Sequence, residues 1–472
     1  MRHSRFSTAG LSDASTIGIP NDLPAGAKGY GWSVKDIEAD DAMHNPDPVR
    51  DAQLDRKFTL FSARGWLNIG TIIVLIGGLV TLFAAYPIIS FYTRPKPPLA
   101  GSFNLGGINA SGQVPDLPAV FSLIDPHTPS DAMNKVGVHD GQNYKLVFSD
   151  EFNTDGRTFY PGDDPYWEAV DLNYWPTGDL EWYSPEAITT KDGKLQITMT
   201  EMLNHDLNFQ SGMLQSWNKL CFTTGILEAS ISLPGDGKTP GFWPGFWSMG
   251  NLGRPGYGAT TDGTWPYSYD SCDTGTLPNQ TNPDGTPSAA TTSGKDAKTN
   301  FELSYLPGQR VGACTCPNTN VPTDHPGPSP SKGRGAPEID VIEAQIDTVN
   351  LEGQASQSFQ IAPFNAGYQF NNDSSAVQIT NPEITKFNNF KGSITQQAVS
   401  GVTQIGTTAY GGNGYQTYGY EWFSDPNNRD SGYITWYVGG TTTWNMNAAA
   451  VGPESVTEIS QRVIPEEPMV YE

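Results

Sequence analysis

The chain has 472 residues, room for two or three average domains or for one large β domain with appendages. Its 50 acids against 27 bases give a formal charge of −23, which excludes a basic nucleic-acid-binding surface. Charged residues make up only 16% and aromatics 11%, with 51 Gly and 37 Pro, a composition that suits a turn-rich β protein handling sugars better than a helix-rich fold.

Residues 1–64 are polar, rich in Gly, Pro and Asp and without sustained periodicity, which predicts a disordered tail. Residues 65–93 contain no charge, and their middle reads LNIGTIIVLIGGLVTLFAAYPIISFY. A bilayer needs roughly 20 apolar residues in a row, so this segment is expected to be a transmembrane helix. It lies too far along the chain for an ordinary cleaved signal peptide and reads as a signal anchor. Arg50, Arg56, Lys57 and Arg64 precede it, whereas Arg94 and Lys96 follow it. That excess predicts a cytoplasmic tail and a single-pass type II protein, with everything after the span lumenal or extracellular in the endoplasmic reticulum, Golgi or plasma membrane. Sequons at Asn109, Asn279 and Asn372 agree with this side assignment and predict a glycoprotein. The Pro-rich, then Gly-rich stretch from Arg94 predicts a stalk over residues 94–143.

A folded domain is expected over residues 144–472. YKLVFSDEF, GKLQITMTE and GILEASISLP alternate and are separated by turn residues, as in an all-β sandwich. From Asn251 to about Gly335 the chain is loop-like and holds Cys272, Cys314 and Cys316, so either disulfides pin this insertion or function requires it. With Cys221 the count is four, which in an oxidising compartment suggests two disulfides with three candidate pairings. C-T-C beside His325 matches no common zinc spacing, and neither a metal nor a cofactor is expected. GDGKT at residues 235–239 lacks the upstream Gly of a phosphate loop and reads as a strand-ending turn.

Two segments carry aromatics suited to a sugar cleft. GFWPGFWSMG contains Trp243 and Trp247, whose indoles either stack on sugar faces or fill a core. GDLEWYSPEAI places Asp179, Glu181 and Trp182 together, as a sugar cleft or an ordinary surface hairpin would. The most informative stretch is PEIDVIEAQ, with Glu338, Asp340 and Glu343 in a β-branched run. Strand alternation puts Glu338 and Asp340 on one face and Glu343 on the other. One extra residue as a β-bulge reverses the phase and gathers all three, and such crowding raises at least one carboxyl pKa.

Together these segments resemble glycoside hydrolase family 16, whose bulged signature E-[ILV]-D-x-x-E is matched by PEIDVIEAQ. VFSDEF, DGKLQITM, GFWPGFWSMG and YGYEWFSDPNNRDSGYITWYVGG fall in the expected order. The plan of tail, single span, lumenal domain and cysteine-bearing insertion before GRGAPEIDVIEAQ looks like that of fungal single-pass membrane proteins associated with β-glucan synthesis. The resemblance implies a concanavalin-like β-jelly roll binding β-glucan polysaccharide. It implies a retaining hydrolase or transglycosylase of wall β-glucan, β-1,6-linked in the first instance, working beside the cell-wall synthesis machinery. A non-catalytic glucan-binding scaffold is the alternative. By motif position Glu338 is the nucleophile, Glu343 the acid/base and Asp340 the group between them that tunes the proton balance. Trp243, Trp247, Asp179, Glu181 and Trp182 are expected to contact substrate. Two departures stand out: Asp179 and Glu181 replace the Glu and Gln of the family's N-E-x-Q-x-Y, and the family's closing strands (N-x-G-M-S and D-Y-V-R-[IV]-Y) have no counterpart before Glu472.

Overall fold

The structure is a computed structural model that describes residues 48–55, 62–93, 122–292, 333–362, 369–390, 399–412 and 414–472. Asn109, Cys314, Cys316 and His325 lie outside the described residues. Contacts divide the chain into two units, residues 1–94 and 95–472.

Among the described residues the first unit contains two helices. Helix α1, Pro48–Asp55, lies in the stretch whose composition predicts disorder. Pro48 at its first position and Asp51 in its first turn supply the fixed φ and the negative charge that a helix N-terminus favours. Helix α2 opens at Ala63, where the Ser62 hydroxyl accepts from the Gly65 N–H at 3.1 Å. It runs through a π-helical turn, Thr81–Ala85, into Tyr86–Thr93. That turn precedes Pro87, which cannot supply the N–H of a regular ladder. The apolar part, Gly65–Thr93, is 29 residues long and entirely unburied. At 1.5 Å per residue it reaches about 43 Å, enough to cross a bilayer.

The second unit is a jelly-roll sandwich. Its sheets are built from strands β1 (Gly225–Ile231), β2 (Gly245–Gly250), β3 (Glu338–Asp347), β4 (Glu352–Gln360), β5 (Val377–Ile379), β6 (Thr385–Phe387), β7 (Val399–Ile405), β8 (Gln416–Phe423), β9 (Tyr433–Val438), β10 (Thr441–Asn447) and β11 (Met469–Tyr471). The six-stranded sheet has the order β6-β7-β4-β3-β2-β11, and the five-stranded sheet the order β1-β8-β9-β10-β5. Every neighbouring pair is antiparallel. Alternation sends Tyr418, Tyr420 and Trp422 of β8 inward, where they meet Ile339, Ala355 and Phe359 of the other sheet. Trp436 and Trp444 stack at 4.1 Å in this core. Gly401 of β7 makes room for them, because a Cβ there would sit 2.5 Å from Trp444.

The domain begins earlier than position 144. Residues 122–143, expected to be stalk, are folded onto the sandwich and include a hairpin of Asn134–Val136 with Asn143–Lys145. Their anchor is Glu421, fully buried on β8, which accepts from the His139 N–H at 2.9 Å and the Tyr433 hydroxyl at 2.6 Å. This segment is polar and short of apolar alternation, so its attachment through a buried carboxylate left no periodic signal. The two-disulfide expectation is also corrected. Cys221 is free and exposed, with no cysteine partner among the described residues, whereas Cys272 is disulfide-bonded. GDGKT is the expected turn, with Asp236 Oδ1 accepting from the Lys238 and Thr239 N–H groups at 2.8 and 2.7 Å.

Candidate active site

A bulge in β3 gathers the three acids. Trp247 pairs with Asp340 and Phe246 with Ile342, so Val341 is the extra residue. On the other side Asp340 faces Ser358 and Glu343 faces Ser356, leaving Val341 and Ile342 together against Gln357. The alternation is thereby reversed. Ile339, Val341, Ile342 and Ala344 all enter the core, while Glu338, Asp340 and Glu343 interact on the outer face. Irregular pairing displaces backbone acceptors, and buried acceptors need donors. Gln357 Nε2 donates to the Val341 carbonyl at 3.0 Å, and Trp436 Nε1 of the opposite sheet donates to the Asp340 carbonyl at 2.8 Å.

Glu338 and Asp340 are 7% and 1% exposed. Burial pushes Glu338 up to about 8, opposed by hydrogen bonds from the Asp340 carboxyl and the Trp265 indole and assisted by the charges of Glu343 and Glu472. Burial and then the Asp340 charge push Glu343 up to about 8, while Trp243 Nε1 donates to its Oε1 at 3.1 Å. Asp340 is driven well above the carboxylate range by burial and then by Glu338. Its Oδ2 accepts from Gln360 Nε2 at 2.8 Å, and its Oδ1 meets no N–H donor among the described residues. The Glu338–Asp340 hydrogen bond joins two carboxyls and therefore requires a proton between them. Glu338 thus has two donors that favour its ionised form. Among the described residues Glu343 has one, and its buried Oε2 has none. The arrangement can hold one anion beside one neutral acid.

Of the expected sugar contacts, Trp243 is 56% exposed and touches Glu343. Trp247 packs against Met249, Trp265 and Ala336, with its ring 6.2 Å from Tyr174. Asp179 accepts from the Tyr183 hydroxyl at 2.5 Å, and the same hydroxyl lies 3.4 Å from Glu181. Tyr174 links this pair to the trio. Its phenol is held well above its ordinary range by burial, then by the charges of Glu338, Glu472, Asp179 and Asp340. Trp182 is not brought to the acids. It alternates with Glu181 and Tyr183 on their short strand, stacks on His205 at 3.7 Å and donates to Asp171 at 2.7 Å.

Sequence reasoning missed Trp265, Tyr174, Gln360 and Glu472. Gln360 is identifiable only from the strand pairing that puts it opposite Glu338, and Glu472 only from its backbone pairing with Trp247. Trp265 belongs to the insertion read as loop. Tyr174 precedes Asp179 by five positions, an aromatic signal that was available.

The model of the family "Beta-glucan synthesis-associated protein SKN1/KRE6/Sbg1" matches residues 30–471. The chain belongs to this family. It is 42% identical over 478 residues to the beta-glucan synthesis-associated protein KRE6 of Saccharomyces cerevisiae, covering 98% of this chain and 62% of that protein. It is 43% identical over 450 residues to SKN1 of Candida albicans, covering 93% of this chain and 56% of that protein. The family member described here thus spans 56–62% of the length of the curated relatives it matches. Among solved structures it is similar to the endo-beta-1,3-glucanase of Pyrococcus furiosus, at 15% identity and a TM-score of 0.37 over 72% of this chain and 85% of that one. It is also similar to the laminarinase of Rhodothermus marinus, at 16% identity and a TM-score of 0.37 over 69% and 83%.

Proposed function

We propose that the chain is a retaining glycosidase of β-glucan, acting as hydrolase or transglycosylase in fungal wall assembly, with β-1,6-glucan the first linkage to test. The observation that carries this reading is the bulge that places Glu338, Asp340 and Glu343 on one face with unequal hydrogen-bond support. Glu338 attacks the anomeric carbon, and a C–O bond to the enzyme forms as the glycosidic C–O bond breaks. Glu343 gives its proton to the leaving oxygen. In the second half Glu343 takes a proton from water or from a glucan hydroxyl, whose oxygen displaces Glu338. Asp340 keeps a proton in reserve and limits the trio's charge. Trp243, Trp247, Asp179 and Glu181 line the substrate side. The domain is lumenal or extracellular, with α2 as a type II anchor, and it works beside the wall-synthesis machinery.

The test is mass spectrometry of products after incubation of the full chain in detergent with end-labelled β-1,3- and β-1,6-gluco-oligosaccharides, beside Glu338→Gln. Products longer than the substrate and absent with Glu338→Gln establish transfer, and shorter products alone establish hydrolysis. An unchanged oligosaccharide with a folded protein removes the enzymatic reading for these substrates. A second reading, a glucan-binding scaffold, draws on the relatives' description as synthesis-associated; binding that survives Glu338→Gln without any turnover supports it.

A further inference from the structure

The insertion before β3 has no part in the steps above, yet it reaches the nucleophile. Its residues 264–274 are tied to the rest of the domain. The Ala336 N–H donates to the Thr264 carbonyl at 2.9 Å, and Val463 N–H to Ser268 O at 2.9 Å. Thr274 Oγ1 donates to Thr457 O at 2.9 Å. Tyr267 and Tyr269 form their own buried cluster with Ala362 and Ile459. Arg429, on the turn between β8 and β9, grips Asp270 of the insertion at 2.7 Å and Glu466 of the C-terminal segment at 2.8 Å. Trp265 is 3% exposed, packs with Met249 and Ala336, and spends its single N–H on Glu338.

We propose that residues 251–292 are a docked cap whose Trp265 is a positioning residue for Glu338, so that the indole favours the ionised nucleophile while the cap is clamped through Arg429. An indole donates and never accepts, so its hydrogen bond to a carboxylate is stronger than to the neutral acid. Shape alone would be satisfied by any large apolar side chain; the N–H directed at a buried carboxylate is what distinguishes a chemical role. The inference rests on the assignment of Glu338 as nucleophile, and its test separates the two.

The full chain in detergent, labelled with 13C at glutamate carboxyls, is titrated by NMR without substrate, with the Glu338 resonance assigned by its loss in Glu338→Gln. Trp265→Phe keeps the apolar fill and removes the donor. Its Glu338 midpoint is expected to rise by about one pH unit, with the melting temperature checked to show that the fold is kept. Arg429→Gln is expected to move the same midpoint in the same direction by less. In parallel, labelling by 2-deoxy-2-fluoro-β-glucosyl fluoride is followed against pH. There Glu338 forms the ester and fluoride leaves, and the acidic limb is expected to follow the NMR midpoints. Unmoved midpoints in folded Trp265→Phe overturn the role of the indole, and an unmoved Arg429→Gln overturns the clamp. Shifted midpoints with no labelling of the unaltered chain retain the positioning and refute the nucleophile.

Discussion

Glu343 is the member of the trio that meets solvent, and its single donor is an exposed indole. Trp243→Phe keeps a ring for sugar stacking and removes that donor, so Glu343 should hold its proton to higher pH. The alkaline limb of turnover is expected to move up by up to about one pH unit, with KM little changed. Glu343→Gln should lower turnover by about 10²–10⁴-fold, since it removes proton transfer while keeping the shape. A stability consequence follows from the same group. Burial pushes Glu343, the carboxyl that keeps its proton, up to about 8 against 4.5 for an ordinary glutamate. Between those values the native state holds a proton that the unfolded chain has released, so stability falls as pH rises from about 4.5 to 8. The melting temperature should drop across that window, and Glu343→Gln should flatten the slope and raise the value at pH 8 by a few degrees. At this scale the acids were legible, because three carboxyls in a β-branched run conflict with ordinary strand chemistry. Their partners Trp265 and Gln360 were not, because each is far from PEIDVIEAQ in sequence and meets it only through folding.

At the scale of elements, the bulge in β3 decides which way Glu343 points. The sequence allowed two phases for this strand, and only the pairing with β2 and β4 chose between them. Deleting Val341 removes the bulge together with its odd residue, so Ile342 alone takes the inward position between Asp340 and Glu343 and the three acids keep a common face. The expected result is a lower urea midpoint from the lost packing of the buried Val341, with turnover that remains sensitive to Glu338→Gln because the trio stays together. A milder probe is Gln357→Leu. It leaves the Val341 carbonyl and the Thr443 hydroxyl without the Gln357 side chain, and urea unfolding should record a loss of about 1–3 kcal/mol. The sandwich strands were readable from alternation and turn residues. The segment 122–143 was not, because a carboxylate and a ring stack hold it, and these have no period. Trp182 was placed in the cleft by its neighbours, but alternation along a strand of three residues turns it away.

For the whole molecule, the proposed orientation makes a biochemical statement. A type II arrangement puts the sandwich behind the membrane, so protease added to sealed microsomes should spare it and cut only the N-terminal tail. The Asn372 sequon lies on an exposed turn of the sandwich, and endoglycosidase H should shorten the chain by one glycan more in the parent than in Asn372→Gln. The long apolar helix itself was legible from its unbroken lack of charge, the length and apolarity that a bilayer demands.

The Trp436 indole has a wider meaning. It belongs to the sheet that carries none of the three acids, is fully buried, and holds the carbonyl of Asp340. Inheritance will register this contact even though no sugar reaches it. Conditional alleles that lose the proposed function at raised temperature should arise in the hidden strands β8 to β10 as readily as around the acids, with Trp436 first among them.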